Sequence, residues 1–350
     1  MGALMKRYSV FQLKEGMKLS KDVNSKSGAT LVPKGVILSK KTIKFLINWG
    51  IKSVLIEEEE EQITRGRGHS QAKFKKEYFE TTEKVISFME GLKGSKAIEL
   101  DEVKEIAQEL VTYSDDINSV KLLTEVKDKD YYTYQHSINV GIYASLLGRW
   151  LGYCTNDIKN LSLAGLLHDI GKTQIPDEVL LKPESLTDKE FEIIKNHPIY
   201  GYELLKPCED LSPEINIAVL QHHERENGSG YPFGITGEKI HSYSKIISVV
   251  DIFDAITSNR VYKGRNSPFE AIREVRDKSF QDLNPEIAYT FFKRISEFFV
   301  GSTVIFNDGS IGKIVFLNKN DPTRPLVQIE DKFVDLSKHK NREIIDVMVF

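Results

Sequence analysis

The spacing of apolar positions changes twice along this chain. Over residues 5–62, short alternating pieces such as Ala29-Thr30-Leu31-Val32 and Ser53-Val54-Leu55-Ile56 surround a helical run at 40–49, which predicts a small α+β domain. An acidic run at 57–61 and the stretch Thr64-Arg65-Gly66-Arg67-Gly68 follow. Two glycines in five positions disfavour regular structure, so this stretch reads as a flexible linker, and 63–125 as linker and leading helices. Beyond it the period becomes helical: Val103, Ile106, Ala107, Leu110 and Val111 form one stripe. Thr187-Asp188-Lys189-Glu190 is a capping box opening a helix that reaches His197, with Pro198 kinking or ending it. After Phe299 alternation returns in Thr303-Val304-Ile305-Phe306, Gly312-Lys313-Ile314-Val315-Phe316, Leu326-Val327-Gln328-Ile329 and Lys332-Phe333-Val334, between turns at Asn307-Asp308-Gly309 and Asp321-Pro322. The predicted fold is mainly α: a helical bundle over 126–298, with the α+β domain before it and a small β-barrel or sheet over 299–350 behind it.

The helical middle contains polar residues that an apolar core should refuse. Five of the eight histidines fall between 136 and 223, in segments otherwise rich in Leu, Ile, Val and Ala. Buried His and Asp are costly without a partner, and several together call for a shared one, a metal ion. Leu163-Ala164-Gly165-Leu166-Leu167 reads as a buried helix leading into His168-Asp169, and Lys172 follows on the same helical face. His222 and His223 would diverge across a strand, but on a helix they lie only about 100° apart and can converge on one ion. Ile247, Val250, Asp251 and Asp254 share a helical stripe, which turns both carboxylates inward, Asp251 as a ligand and Asp254 behind it. His136 heads a further amphipathic run at 137–150. Taken singly, each feature has an ordinary explanation. A core histidine is usually a satisfied structural residue, Gly228-Ser229-Gly230-Tyr231-Pro232 alone is a surface turn, and Lys172, Arg260 and Lys263 alone are solvated charges. Their conjunction changes that weighting, whereas His69, His241 and His339 gain nothing from their neighbours.

The order His136, His168-Asp169, Asp251 resembles the HD superfamily of metal-dependent phosphohydrolases. His168-Asp169-Ile170-Gly171-Lys172, His197-Pro198, His222-His223-Glu224-Arg225, Gly230-Tyr231-Pro232 with Gly234, and the segment 251–263 narrow the resemblance to the bacterial HD-GYP cyclic dinucleotide phosphodiesterases, over residues 125–295. The resemblance implies an HD-type bundle hydrolysing cyclic di-GMP to linear pGpG and on to GMP. It implies a first metal held by His136, His168, Asp169 and Asp251, a second held by His197, His222 and His223, and Asp169 bridging the two. Some members hold a third metal through a glutamate four residues before the first histidine. That position here is Tyr132, so two ions are expected, iron first and manganese as the alternative, with no organic cofactor. The resemblance further assigns Arg260 and Lys263 to substrate phosphates, although the usual Asp-Arg pair here reads Asn259-Arg260; the Gly228–Pro232 loop, following the His222-His223 pair, is expected to face substrate with Tyr231. Two divalent ions about 3.5 to 4 Å apart can share a hydroxide and clamp the attacking and leaving oxygens at phosphorus, while Lys172 neutralises charge developing there.

Composition bounds the partners. With 48 basic and 51 acidic residues interspersed, the net charge of −3 offers no broad surface for duplex nucleic acid or an anionic membrane. The only cysteines, Cys154 and Cys208, have no metal-like spacing and suit a reducing compartment. No apolar run reaches the about 18 residues of a membrane helix, which points to a cytoplasmic protein. The helical run at 70–92 offers a surface for a homodimer. A cyclic dinucleotide receptor with little hydrolysis, a general nucleotide phosphomonoesterase, and a preference for mixed cyclic GMP-AMP are the competing expectations.

Overall fold

The computed structural model describes residues 4–10, 13–24, 30–49, 51, 53–58, 60–92, 98, 100–114, 117–123, 131–182, 184–258, 267–319 and 321–348. It divides into two units, 1–76 and 77–350. In the first, β1 (Leu4–Ser9), β5 (Ser53–Glu58) and β2 (Lys18–Leu19) form an antiparallel sheet in the order β1-β5-β2. β3 (Val23–Asn24) and β4 (Thr30–Val32) form a separate pair, and α1 spans Lys40–Asn48. The Ser39 side chain accepts from Thr42 N–H at 3.2 Å and so caps α1, while Leu19, Leu38, Leu46, Val54 and Ile56 form the core.

Helix α2 covers Glu60–Gly91, so the stretch read as a flexible linker is helical instead. Each glycine costs a helix about 1 kcal/mol. Extending a helix already nucleated costs little by comparison, and the regular run that follows carries it.

The second unit holds α3 (Leu100–Tyr113), α4 (Ile117–Leu122), α5 (Tyr132–Trp150), α6 (Thr155–Leu167), α7 (Asp177–Leu180), α8 (Asp188–Ile194), α9 (His197–Leu205), α10 (Pro213–Gln221), α11 (Ser242–Ser258), α12 (Pro268–Lys278) and α13 (Pro285–Glu297). α5 is not amphipathic, as its spacing suggested; every residue from Gln135 to Gly148 is buried. It crosses α6 at glycines: a Cβ on Gly165 would come within 2.8 Å of Gly141 Cα. Only bare backbone permits that approach, and it fixes the two helices that present His136 and His168. On its other side α5 meets α11 and α13 through Tyr143, Phe253 and Phe291, packed edge to face with centroids 5.0 to 6.3 Å apart.

The capping box at Thr187 and Glu190 is present, but α8 stops at Ile194, short of His197. A new helix starts at His197 with Pro198 in its first turn, where the missing N–H costs nothing. The chain ends in a five-stranded antiparallel sheet of order β10-β6-β7-β8-β9, built from β6 (Thr303–Phe306), β7 (Ile311–Phe316), β8 (Leu326–Ile329), β9 (Lys332–Asp335) and β10 (Ile344–Met348). Alternation predicted the first four strands and missed β10. Among the described residues no helix is long and apolar enough to cross a membrane.

Candidate metal centre

Five separate elements deliver the site. His168 is the C-cap of α6 and Asp169 follows it, before a 3₁₀ turn at Ile170–Gln174. His222 is the C-cap of α10, His197 opens α9, His136 lies in the first turns of α5, and Asp251 in α11. The last carbonyls of a helix have no intrahelical partner, and the histidines supply one. His168 Nδ1 donates to the Gly165 carbonyl at 2.7 Å, His197 Nδ1 to that of Ile194 at 2.8 Å and His222 Nδ1 to that of Val219 at 2.7 Å. In each case the acceptor lies three residues back, so one device fixes three rings. With the proton held on Nδ1, each Nε2 presents a lone pair.

These Nε2 atoms, together with that of His136, converge on Asp169. Its Oδ2 lies 3.2 Å from His168 Nε2 and 3.9 Å from His136 Nε2; its Oδ1 lies 3.2 Å from His197 Nε2 and 4.0 Å from His222 Nε2. Asp251 Oδ1 is 3.1 Å from His136 Nε2, and its Oδ2 is 3.9 Å from His223 Nδ1. Two groups of potential ligands result, His136, His168 and Asp251 in one, Asp169, His197, His222 and His223 in the other, each with donor atoms within 4.8 Å of one another. One Asp169 oxygen faces each group.

Protein groups alone leave this arrangement unsatisfied. His168 Nε2 and Asp169 Oδ1 are buried without a hydrogen-bond donor. The Nε2 atoms of His197 and His222 face each other at 3.2 Å while both Nδ1 atoms are committed to carbonyls, so two lone pairs oppose each other. A cation between them removes that repulsion, and the imidazole and carboxylate set suits a divalent transition metal.

Charge in the metal-free site is divided accordingly. Burial, then the neighbouring histidines, hold His222 well below its ordinary pKa, and burial does the same for His223 against the pull of Asp251. Burial also works against a charge on His136, but Asp251 and Asp254 outweigh it and raise the imidazole to about 10. Desolvation works against a charge on Asp169, yet the charges around it, Lys172 among them, leave its carboxyl well below the usual range. Lys172 lies not in open space but against the carboxylate, with Nζ 2.6 Å from Asp169 Oδ2.

Behind the ligands is a relay that the sequence showed only at Asp254. His136 Nδ1 meets Asp254 Oδ2 at 2.8 Å, Asn139 Nδ2 donates to Asp254 Oδ1 at 2.9 Å, and the Tyr78 hydroxyl donates to Asn139 Oδ1 at 2.8 Å. Asn139 was detectable as a polar residue one turn beyond His136 in an apolar helix; nothing in the sequence pointed to Tyr78. Asp254→Asn should weaken metal binding by about 10- to 100-fold while the protein stays folded, because the amide has one acceptor oxygen for two donors, His136 Nδ1 and Asn139 Nδ2, and no charge to hold the His136 ring. Calorimetric titration of metal-free protein with Mn²⁺ checks this, and an unchanged affinity would remove Asp254 from that role.

The Gly230-Tyr231-Pro232 loop is tethered to the site. Tyr231 N–H donates to the His223 carbonyl at 3.2 Å, and the Tyr231 ring lies 4.6 Å from that of His223, tilted by 32°. Glu224, quoted in its motif without a role, is buried and accepts from Phe233 N–H at 2.7 Å and Ile235 N–H at 3.1 Å. Arg260 and Lys263 lie outside the described residues.

Comparison with known proteins extends the geometry. The HD domain family matches residues 122–287. A cyclic di-GMP phosphodiesterase of Pseudomonas aeruginosa is 34% identical over 249 residues, 70% of this chain and 59% of that protein. Another, from Thermotoga maritima, is 36% identical over 200 residues, 55% of this chain and 53% of that protein. A 3′3′-cGAMP-specific phosphodiesterase of Vibrio cholerae is 34% identical over 163 residues, 46% of this chain and 35% of that protein. The chain thus spans between about a third and three-fifths of these relatives. The solved structure of an HDG"Y"P protein from Bdellovibrio bacteriovorus shares the fold, with a TM-score of 0.52 at 15% identity, over 83% of this chain and 99% of that one.

Proposed function

We propose, from the match of residues 122–287 to the HD domain family, that this chain hydrolyses a cyclic dinucleotide, cyclic di-GMP foremost, to the linear dinucleotide. The observation that carries the reading is the set of bare Nε2 atoms facing the two oxygens of Asp169. A family of acid-base residues alone would not need it. His136, His168 and Asp251 would hold one divalent ion together with one Asp169 oxygen; His197, His222 and His223 would hold a second with the other. Iron is the first choice and manganese the second. Such a pair supplies acidified water and electrostatic stabilisation of the phosphoryl oxygens. The names of the Pseudomonas and Thermotoga relatives support cyclic di-GMP, and that of the Vibrio relative keeps cyclic GMP-AMP as the second substrate.

The chain's own residues do the rest. Asp169 stays ionised and divides its oxygens between the two groups. Lys172 holds a positive charge against that carboxylate, with 27% of its side chain exposed, so substrate phosphate can reach it. Tyr231 presents its ring beside His223 and contacts substrate, and Arg260 and Lys263 bind the phosphates. The unpaired cysteines Cys154 and Cys208 suit a cytoplasmic setting.

Elemental analysis of anaerobically purified protein, coupled to a chromatographic product assay, tests the reading. About two metal ions per chain and conversion of cyclic di-GMP to linear pGpG are expected, with activity lost on chelation and regained with Fe²⁺ or Mn²⁺. Absence of linear product under all metal conditions, or full activity in chelated protein, would overturn it.

A further inference from the structure

Two tyrosines, not one, lie against ligand imidazoles, and they do so at opposite ligand groups. Tyr231 packs on His223 and also approaches His197, with ring centroids 6.4 Å apart. Tyr132 opens α5, one turn before His136, and its ring is stacked on that imidazole at 6.0 Å and 15°. It is 37% exposed, unlike the buried residues that follow it from Gln135 onward. Its ring thus sits at the lip of the site, one face against His136. No bond in the fold uses its exposed surface among those described.

We infer that Tyr132 is a stacking platform for one base of the substrate, the counterpart of Tyr231 on the other side of the scissile phosphate. The inference rests on the cyclic dinucleotide reading and sharpens it. A mononucleotide offers one base and needs one ring, whereas a cyclic dinucleotide carries a base on either side of the phosphate under attack. Two phenol rings, each backed by a ligand imidazole from a different group, match that layout. Stacking on an aromatic side chain is tolerant of base identity, so this pair selects for two bases rather than for guanine.

The test compares Tyr132→Leu, Tyr132→Phe and the control Tyr131→Leu, which removes an exposed ring one residue away. Each is assayed in metal-loaded protein with cyclic di-GMP and with bis(p-nitrophenyl) phosphate, a diester without purines. Tyr132→Leu should raise KM for cyclic di-GMP about tenfold, the size expected for one lost base stack. Its kcat, metal content and use of bis(p-nitrophenyl) phosphate should change by less than about twofold, and Tyr132→Phe and Tyr131→Leu should behave as wild type. An unchanged KM in Tyr132→Leu overturns the inference, as does an equal loss on both substrates, a loss of metal, or an equal effect of Tyr131→Leu. Wild-type protein that cleaves bis(p-nitrophenyl) phosphate but not cyclic di-GMP sinks the cyclic dinucleotide reading itself, an outcome separate from all of these.

Discussion

Asp169→Ala should empty both halves of the site and lower turnover by about a thousandfold or more, which corresponds to about 4 kcal/mol of lost transition-state stabilisation. The expectation follows from the division of one carboxylate between two ligand groups. Oδ2 faces His136 and His168, Oδ1 faces His197 and His222, and the remaining carboxylate, Asp251, reaches only His136, His168 and His223 within 4.0 Å. Without Asp169 the group of His197, His222 and His223 retains three imidazole nitrogens and no carboxylate of its own, a weak site for a divalent ion. The fold should survive, because the Gly141–Gly165 crossing and the aromatic contacts of α5 with α11 and α13 lie outside the lost contacts. Lys172 loses its partner but is partly exposed and can turn to water. Metal analysis, circular dichroism and the product assay on one preparation check all three. A variant that kept both its metal and its turnover would show that Asp169 bridges nothing.

The site was more legible than the scaffold, for a chemical reason. Metal ligation admits few residue types, so His136, His168, Asp169, His197, His222, His223 and Asp251 stood out in apolar sequence before their helices were located. The scaffold allows more substitutions and hides its rules. Gln135, Ser137, Asn139 and Ser145 give the α5 sequence a polar content that suggests solvent contact, yet all are buried, and the Ser145 and Asn139 side chains find hydrogen bonds inside. Strand β10 was missed because its register shifts between Ile344 and Asp346, which breaks the alternation that reveals a strand. The glycines of 64–68 suggested a linker by local propensity alone, where propagation of α2 prevailed. The carbonyl anchors of His168, His197 and His222 were invisible for another reason: they depend on where three helices end, the least certain feature of any sequence reading.

Gly171 illustrates a dependence that no list of ligands contains. It sits two residues after Asp169, in the 3₁₀ turn, directly against the start of α9. A Cβ there would fall on the His197 carbonyl oxygen, well inside contact distance, and 2.5 Å from Gly201 N. Both obstacles are backbone, so no rotamer change relieves them; the turn and α9 must part. Overpacking a well-filled interior costs typically 1–3 kcal/mol, and Gly171→Ala should lie at or above the top of that range, at about 3 kcal/mol. Because the turn carries Asp169 and α9 carries His197, the same displacement widens their 3.2 Å contact and weakens the second ligand group more than the first. Gly201→Ala is the contrast, since its Cβ meets the Val219 side chain first, at 2.7 Å, and backbone only at 3.3 Å, so a slight adjustment of α10 relieves it; about 1 to 2 kcal/mol is expected. Urea unfolding of the two metal-free variants, followed by Mn²⁺ titration, separates packing loss from ligand loss. Excess metal should return part of the lost stability to Gly171→Ala by binding only the folded form. If Gly171→Ala unfolds at the wild-type midpoint and binds metal with unchanged affinity, then the turn does not bear on α9 and the link between backbone packing and the His197–Asp169 contact is void.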